Sequence, residues 1–303
     1  PDDFFWYDCD QSKNHCSNAG MQQEADSTRV ARKFLHLPFS NISAMKFRKS
    51  SLVLLSLLGG LALSLAWPDR GFPGLLFIGL VPFLAIEDYI SRHREKFIKF
   101  SVMVYTYPGF FIWNLLTTWW IVNSTLVGAI LAVVLNALFM SVIFQVFHWS
   151  RQYLRYRVVS YIALACFWIA FEYLHLNWDL NWPWLNLGNG FASYYKWVQW
   201  YEYTGTMGGT LWILVGNILV FILINEIKNQ KSKIKNTVQK SKLAPPGSAS
   251  LRFVVQYSIF LLLWITIPII CSYRIYSAYK EKIHPVNFVV VQPNIDPYTE
   301  EYT

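Results

Sequence analysis

The chain has 303 residues, of which 54% are hydrophobic and only 15% are charged, and its mean hydropathy is +0.29. Soluble domains carry about 25% charged residues, so this composition excludes an ordinary soluble globule. The net charge of +8 is divided among separate basic clusters between apolar runs, a distribution typical of contacts with anionic lipid. We therefore expect a membrane protein and no nucleic-acid partner.

The first 44 residues differ from the rest of the chain. They are polar and show no sustained hydrophobic period, so we predict that residues 1–44 are a disordered or non-native extension. At Met45 the basic stretch MKFRKSS leads into an apolar run, as at the start of many bacterial inner-membrane proteins. A cleaved signal peptide is disfavoured because more apolar runs follow and no small-residue cleavage site is evident.

From Ser51 onward the chain shows seven apolar runs of about 20 residues, the length that crosses a bilayer. We predict an all-α polytopic membrane domain over residues 45–284. Proline ends the first run at Trp67-Pro68, and Pro108-Gly109 predicts a kink in the third. The predicted spans are Ser51–Trp67, Phe72–Ile90, Phe97–Val122, Leu126–Trp149, Val158–Leu176, Gly205–Ile224 and Phe253–Tyr273.

The Lys and Arg residues predict the orientation of these spans. Strongly basic connections alternate with connections that hold at most one basic residue. The most basic connection runs from Lys228 to Arg252, between the sixth and seventh spans. Because cytoplasmic loops are enriched in Lys and Arg, we predict a cytoplasmic N-terminus in a bacterial inner membrane. The connection between spans five and six and the C-terminal tail are then periplasmic.

An aromatic segment, Asn177–Gly209, joins spans five and six and carries five of the 14 tryptophans. A simple connection between two helices needs only a handful of residues, whereas this one has about thirty. Its amphipathic rings are of the kind that lies where hydrocarbon meets headgroups. We predict that the aromatic segment lies at the outer membrane surface.

Glu172 is the main candidate for a functional polar residue within the spans. An ionisable group in a membrane costs a few kcal/mol unless it faces a cavity, a partner or the interface. At helical spacing, Glu172 shares one face with Trp168 and His175. Two interpretations stay open: an interfacial glutamate held by His175 or by a loop amide, or a residue that contacts substrate. The WPW stretch at 182–184 likewise predicts either a membrane anchor or a substrate contact.

Other side chains offer little chemistry. The glycines of the aromatic segment are not spaced as a phosphate-binding loop, and no Ser–His–Asp or Cys–His arrangement is evident on the outward side. The four cysteines show neither metal-ligand nor CxxC spacing, so no zinc site or disulfide framework is predicted. We predict that Cys166 only packs inside its span.

The end of the chain changes character once more. After His284-Pro285, the stretch NFVVVQPNID is β-branched, apolar and too short for a span. It predicts a strand, Asn287–Ile295, that opens a soluble domain over residues 285–303. Because a lone strand with an apolar face needs partners, we expect this domain to continue beyond Thr303.

Four stretches between Met45 and Thr303 resemble bacterial apolipoprotein N-acyltransferases. The most specific is WPWLNLG at 182–188, which follows Trp168-x-x-x-Glu172 as in that family. The chain departs from the family at Leu174-His175-Leu176, where Leu-Arg-Gly is common. The other similar stretches are LALSLAWPDRGFPGLLFIGLVPFL at 61–84, TGTMGGTLWILVGN at 204–217 and VVVQPNI at 289–295, the last resembling the strand that opens the family's nitrilase-like domain.

The resemblance implies an αββα nitrilase-like domain, beginning at residues 285–303, and an acyl transfer in two steps. A Glu–Lys–Cys triad, expected beyond Thr303, would take an acyl chain from a phospholipid as a thioester. It would pass the chain to the N-terminal diacylglyceryl-cysteine of an apolipoprotein. Neither a metal nor a cofactor is implied. The residues implied to line the lipid access are Glu172, Trp182, Pro183, Trp184, Asn186 and Gly188.

Two alternatives stay open beside this interpretation. One is a non-catalytic polytopic membrane protein such as a transporter. It is disfavoured because the spans show no inverted repeat and no paired intramembrane charges. The other is a membrane-anchored nitrilase-family enzyme with a different acceptor.

Overall fold

The computed structural model describes residues 48–67, 71–154, 156–179, 181–240, 248–280 and 286–291, without the side chains of 231–240 and 248–251. The extension predicted over residues 1–44 lies outside the described residues. All regular structure in the described ranges is helical. Its α-helices are α1 (Lys49–Ala66), α2 (Leu76–Gly79), α3 (Val81–Arg92), α4 (Ser101–Thr118), α5 (Leu126–Tyr153), α6 (Arg157–Leu176), α7 (Tyr201–Lys240) and α8 (Ser248–Ala278).

Six helical stretches of the described ranges are long and apolar enough to cross a membrane. They are α1, the stretch Pro73–Arg92 that contains α2 and α3, then α5, α6, and the described parts of α7 and α8. The prediction of a polytopic helical membrane protein is therefore confirmed. Helix α4 occupies the place of the predicted third span and has 18 residues, but it is not one of the six.

Helices α1 and α4 pack closely because two glycines face each other. A Cβ atom on Gly60 would overlap the carbonyl group of Gly109. Pro108 interrupts the hydrogen-bond ladder of α4. Beside the proline, the Ser56 hydroxyl of α1 accepts from the Gly109 N–H at 2.9 Å and donates to the Thr106 carbonyl at 3.2 Å. A side chain of one helix thus hydrogen-bonds the backbone of its neighbour on both sides of the proline.

A side chain of α7 bridges the break between α2 and α3. Pro82 near the start of α3 has no N–H group, and Leu80 separates the two helices. The Asn217 amide accepts from the Leu80 N–H at 2.8 Å and donates to the Leu76 carbonyl at 2.7 Å. In a continuous helix these two backbone groups would bond each other. Asn217 therefore replaces the missing helical bond and ties the second span to α7.

Aromatic rings fill the centre of the bundle. Phe83 of α3 stacks on Phe110 of α4 with ring centroids 4.3 Å apart. Phe144 of α5 and Trp168 of α6 complete the group, with centroids 5.6 Å and 5.9 Å from that of Phe110. All four side chains are fully buried. Because Trp168 is locked in this core, it is a fixed partner for Glu172, one helical turn further along α6.

An ion-pair cluster lies buried near the basic ends of α3 and α5. The carboxylate of Glu87, which is 1% exposed, accepts hydrogen bonds from the Arg151 guanidinium and, at 2.9 Å, from His148 Nδ1. Asp88 binds Arg92 Nε at 2.7 Å and lies 3.6 Å from Arg151. The prediction that the spans hold no paired charges is therefore wrong. The partners of Glu87 are 61 and 64 residues away in the chain, so no local spacing indicates the pairing.

Helix α8 lies against α7 through two tryptophans, and the residues beyond it show no strand. The Trp212 indole donates to the Trp264 carbonyl at 2.8 Å, and the Trp264 indole donates to the Trp212 carbonyl at 3.0 Å. Residues 286–291 form no strand, and Val289 is 89% exposed. The predicted strand Asn287–Ile295 is thus not observed in its described part, where no neighbouring strand is present to pair with it. Its last four residues lie outside the described ranges.

Candidate functional site

The aromatic segment, Asn177–Gly209, folds back onto the helix bundle. It forms two short 3-10 stretches, Pro183–Leu185 and Leu187–Trp197, and proline begins the first because its fixed φ suits a helix start. Phe191 of the second stretch is fully buried, with its ring centroid 5.0 Å from that of Trp212 in α7. The segment is therefore packed as part of the bundle rather than as a free connection.

The Glu172 carboxylate connects this segment to the helix bundle through hydrogen bonds. Its side chain is 1% exposed and accepts three hydrogen bonds. Oε1 accepts from Trp168 Nε1 at 2.9 Å and from the Leu187 backbone N–H at 2.7 Å. Oε2 accepts from Thr210 Oγ1 at 2.6 Å. The carboxylate thus joins α6, the aromatic segment and α7 at one point.

Gly188 extends this network to the start of α7. Its N–H donates to Thr210 Oγ1 at 3.0 Å, and its carbonyl accepts from the Tyr201 hydroxyl at 3.0 Å. A Cβ atom on Gly188 would overlap the carbonyl group of Thr206, so glycine is required for this approach. Gly205 has φ +63, a left-handed conformation that favours glycine and turns the chain into the regular part of α7.

His175 belongs to a different hydrogen-bonded chain. Its Nε2 donates to Asn136 Oδ1 at 3.1 Å, and Asn136 Nδ2 donates to Asn114 Oδ1 at 2.7 Å. This chain links α6 to α5 and α4. Trp168, Glu172 and His175 are all buried, so their predicted common face is the one turned into the bundle. Of the two groups expected to hold Glu172, the loop amide does so and His175 does not.

Three exposed tryptophans lie together at the edge of the aromatic segment. The rings of Trp184 and Trp120 meet edge to face with centroids 5.3 Å apart, and Trp184 is 54% exposed. Trp119, beside Trp120 after the end of α4, is 62% exposed. We call Trp119, Trp120 and Trp184 the exposed tryptophan patch. The neighbouring Trp182 is half-buried, and its indole N–H has no partner among the described residues.

The six predicted lipid-access residues divide into two groups. The buried group consists of Glu172, Asn186 and Gly188. The group nearer the surface consists of the half-buried Trp182 and Pro183 and the exposed Trp184. The structure joins Glu172 to Gly188 through Thr210, whereas Trp184 contacts the separate tryptophan Trp120. Glu172 and Gly188 therefore lie in one buried hydrogen-bonded network, whereas Trp184 is exposed.

The described residues hold little that is suited to covalent chemistry. Cys166 and Cys271 are exposed on the outside of the bundle, so the prediction that Cys166 packs inside is wrong, because α6 turns that position outward. In the described ranges, no group of three or more His, Cys, Asp or Glu side chains could hold a metal ion. The arrangement can position an aromatic surface, and it offers no nucleophile with an adjacent base.

Sequence reasoning missed three residues of this site: Thr210, Tyr201 and Trp120. Nothing in the sequence marks Thr210 or Tyr201, because a single hydroxyl beside an apolar helix has no periodic signature. Trp120, in contrast, is marked in the sequence as a residue of the membrane interface. It follows Trp119 directly, next to the short uncharged link VNST, and paired tryptophans at a helix end are typical of a membrane interface.

These features define a class: a polytopic helical membrane domain whose aromatic segment is fastened to the bundle by a buried glutamate. Residues 59–219 match the family described as the apolipoprotein N-acyltransferase N-terminal domain, and the chain belongs to this family. The match includes α6, the whole aromatic segment and Thr210.

One curated relative supports the same assignment. The apolipoprotein N-acyltransferase of Chlorobaculum tepidum is 27% identical over 249 residues, which cover 80% of this chain. The aligned region is 42% of the relative, so the chain spans less than half of that protein's length. No solved structure matches the chain.

Proposed function

We propose that the protein containing this chain is an apolipoprotein N-acyltransferase. It transfers an acyl chain from a phospholipid to the N-terminal diacylglyceryl-cysteine of a bacterial lipoprotein. The observation that carries the proposal is that the family match at residues 59–219 includes the complete Glu172 network and the aromatic segment. The relative's name supports the same activity.

Both substrates of this reaction are anchored in a lipid leaflet, so the catalytic site has to meet them at a membrane surface. The described helices supply the membrane framework but no activated nucleophile. We assign the chemistry to a nitrilase-like domain that begins at residues 285–303, where Phe288 and the three following valines are 79–89% exposed. Such an apolar stretch needs covering by partner strands. The 303-residue chain alone is expected to bind lipid at most and to transfer nothing.

The two groups of predicted site residues have different tasks in this proposal. Glu172, Asn186 and Gly188 act as positioning residues that hold the aromatic segment. Trp184 and Trp182 meet lipid at the access to the catalytic domain. An exposed indole suits this position because one edge is apolar and the N–H can donate to a lipid carbonyl or phosphate.

The test is an acylation assay on the complete reading frame that contains this chain. Purified protein receives a phospholipid donor and a synthetic diacylglyceryl-cysteine peptide, and mass spectrometry measures the triacylated product. Wild-type protein is expected to form it. Trp184→Ala is expected to raise KM for the lipid about tenfold, because the loss of one indole contact with lipid costs about 1.4 kcal/mol. The amount of folded protein is expected to stay unchanged.

The matched control for Trp184 is Tyr203→Ala. Tyr203 is 75% exposed but lies outside the exposed tryptophan patch. The Tyr203→Ala variant should therefore have the wild-type KM for the lipid. Acylation of other amines but not of the diacylglyceryl peptide would favour a nitrilase-family enzyme with another acceptor. An equal KM for Trp184→Ala and wild type would remove Trp184 from the lipid access.

The proposal also includes seven spans and a fixed orientation. Helix α4 packs along α1 and α5, so it crosses the membrane with them. Its hydropathy is lowered by Ser101, Thr106 and Asn114, which are buried between helices and do not meet lipid. With seven spans and basic connections in the cytoplasm, the N-terminus is cytoplasmic, and the aromatic segment and the C-terminal domain are periplasmic.

Reporter fusions test this topology. Fusions after Arg157 and Lys242 are expected to read cytoplasmic, and fusions after Ser124 and Ser193 are expected to read periplasmic. The reason is the alternation of basic and non-basic connections. A periplasmic result at Lys242 would contradict the orientation, because that connection carries the strongest basic signal. If α4 did not cross, Ser124 would read cytoplasmic.

A further inference from the structure

A cavity of about 610 Å³ opens at the basic end of the bundle, remote in the chain from the aromatic segment. Its lining comes from the ends of α3 and α5 and from the connection between α3 and α4. Its lining includes Arg94, Phe97, Ile98, Lys99, His148 and Trp149. A volume of this size is typical of pockets that hold small organic ligands. Nothing in the acyl-transfer proposal uses this cavity.

The wall of the cavity is built in a fixed position. Gln145 of α5 donates through Nε2 to the Lys99 carbonyl at 3.1 Å and accepts from the Met103 N–H at 3.1 Å. The Trp149 ring lies 5.5 Å from that of Phe100, with the Lys99 ammonium 5.9 Å from the Trp149 centroid. These contacts hold the connection before α4 against α5.

The polar groups of the cavity wall favour an anion. His148 is 6% exposed and already uses Nδ1 to bind Glu87. The indole N–H of its neighbour Trp149 is buried and lacks a partner in the described part of the chain. Arg94 makes one long hydrogen bond, 3.4 Å, to Ser91. Most of its donors are therefore left for a ligand.

The carboxylates around the cavity are already paired. Glu87 binds Arg151 and His148, and Asp88 binds Arg92. Glu95 lies 3.8 Å from Lys96, away from the cavity lining. The positive charges of Arg94 and Lys99 are thus a surplus at the cavity. A group with negative charge and several acceptor oxygens, such as a phosphate, complements them.

The apolar rim identifies the source of that phosphate. Ile98 is 74% exposed beside Arg94 and Lys99, and Phe97 also lines the cavity. These residues follow the end of the candidate span Pro73–Arg92, where a bilayer boundary is expected. Basic pockets between membrane helices are suited to anionic lipid headgroups. We propose that this cavity binds the headgroup of an anionic phospholipid from the leaflet at the basic end of the bundle.

The test uses the purified complete protein in detergent and needs no turnover. Three probes are titrated at equal ionic strength: dihexanoyl-phosphatidylglycerol, dihexanoyl-phosphatidylcholine and inorganic phosphate. The dissociation constant is taken from the rise in Tm. Phosphatidylglycerol is expected to bind at least tenfold more tightly than the other two. Binding should weaken about fivefold in Arg94→Gln and about 25-fold in Arg94→Gln/Lys99→Gln, since each basic residue near a membrane contributes about that factor.

The matched control is Lys96→Gln. Lys96 lies on the same short turn as Arg94 and is exposed, but it does not line the cavity. The control is expected to bind phosphatidylglycerol as wild type does, and equal weakening in Lys96→Gln and Arg94→Gln would overturn the site in favour of diffuse attraction. Equal binding of phosphatidylcholine, or an equal response to phosphate alone, would overturn a headgroup-specific lipid site. Retained binding in the double variant would place the lipid elsewhere on the protein.

Discussion

Replacement of Glu172 by alanine is expected to lower the free energy of unfolding by about 3–5 kcal/mol, because three buried donors lose their acceptor. Trp168, Leu187 and Thr210 all donate to this carboxylate at 2.6–2.9 Å. The aromatic segment should loosen from α6 and α7 before the bundle itself unfolds. Denaturation of the purified protein in detergent, followed by circular dichroism, measures the loss of stability.

Two variants make this result interpretable. Glu172→Gln keeps one carbonyl oxygen for Trp168 and Leu187, so it should lose less than half as much stability as the alanine variant. Glu202→Ala removes the same charge from an exposed position near the start of α7 and should leave stability unchanged. Wild-type stability of Glu172→Ala, combined with loss of acyl transfer, would contradict the anchor role and favour direct substrate contact.

Replacement of either partner of the buried Glu87–Arg151 pair is expected to destabilise the protein about as much as Glu172→Ala does. Glu87→Leu or Arg151→Leu alone should lower the free energy of unfolding by about 3–5 kcal/mol, because each leaves a buried charge without its main partner. The double variant should be more stable than either single variant, since it leaves neither charge of the pair buried without its partner. The free energies of unfolding of the wild type, the two single variants and the double variant, measured in detergent, form a double-mutant cycle.

The control for this cycle is the exposed pair of Glu95 and Lys96. Their charged atoms are 3.8 Å apart, and both side chains are about two-thirds exposed. Charge removal there should change stability little, because solvent screens an exposed pair. A double Glu87→Leu/Arg151→Leu variant whose loss equals the sum of the single losses would show that the two residues act independently.

Six of the seven predicted spans coincide with helical stretches long and apolar enough to cross a membrane, because each is a long apolar run bounded by basic or aromatic residues. The predicted first span, Ser51–Trp67, differs from α1 by two residues at its start and one at its end. The predicted sixth span began only at Gly205, whereas α7 begins at Tyr201. The short turn before Gly205 is polar and aromatic, so hydropathy alone did not assign it to the helix.

The candidate site was predicted in composition but not in arrangement. The WPW stretch and the glutamate before it are recognisable locally, whereas the exposure of Trp184 and the burial of Trp168 are not. The bonds of Glu172 to Leu187 and Thr210 span 15 and 38 residues and depend on how the aromatic segment folds back. Asn217 bridges 137 residues to reach Leu80. Such pairings follow from helix packing, which no local period encodes.

The central claim is that Glu172 positions the aromatic segment while Trp184 meets lipid. Photo-crosslinking with a phospholipid that carries a diazirine high on one acyl chain tests it most directly. In bilayers, peptide mapping by mass spectrometry should place the label on Trp184 and on Trp119–Trp120, with none on Glu172. In Glu172→Ala, labelling at Trp184 should fall while labelling at Trp119–Trp120 persists. Label on Glu172 itself, or unchanged labelling of Trp184 in the alanine variant, would contradict the account.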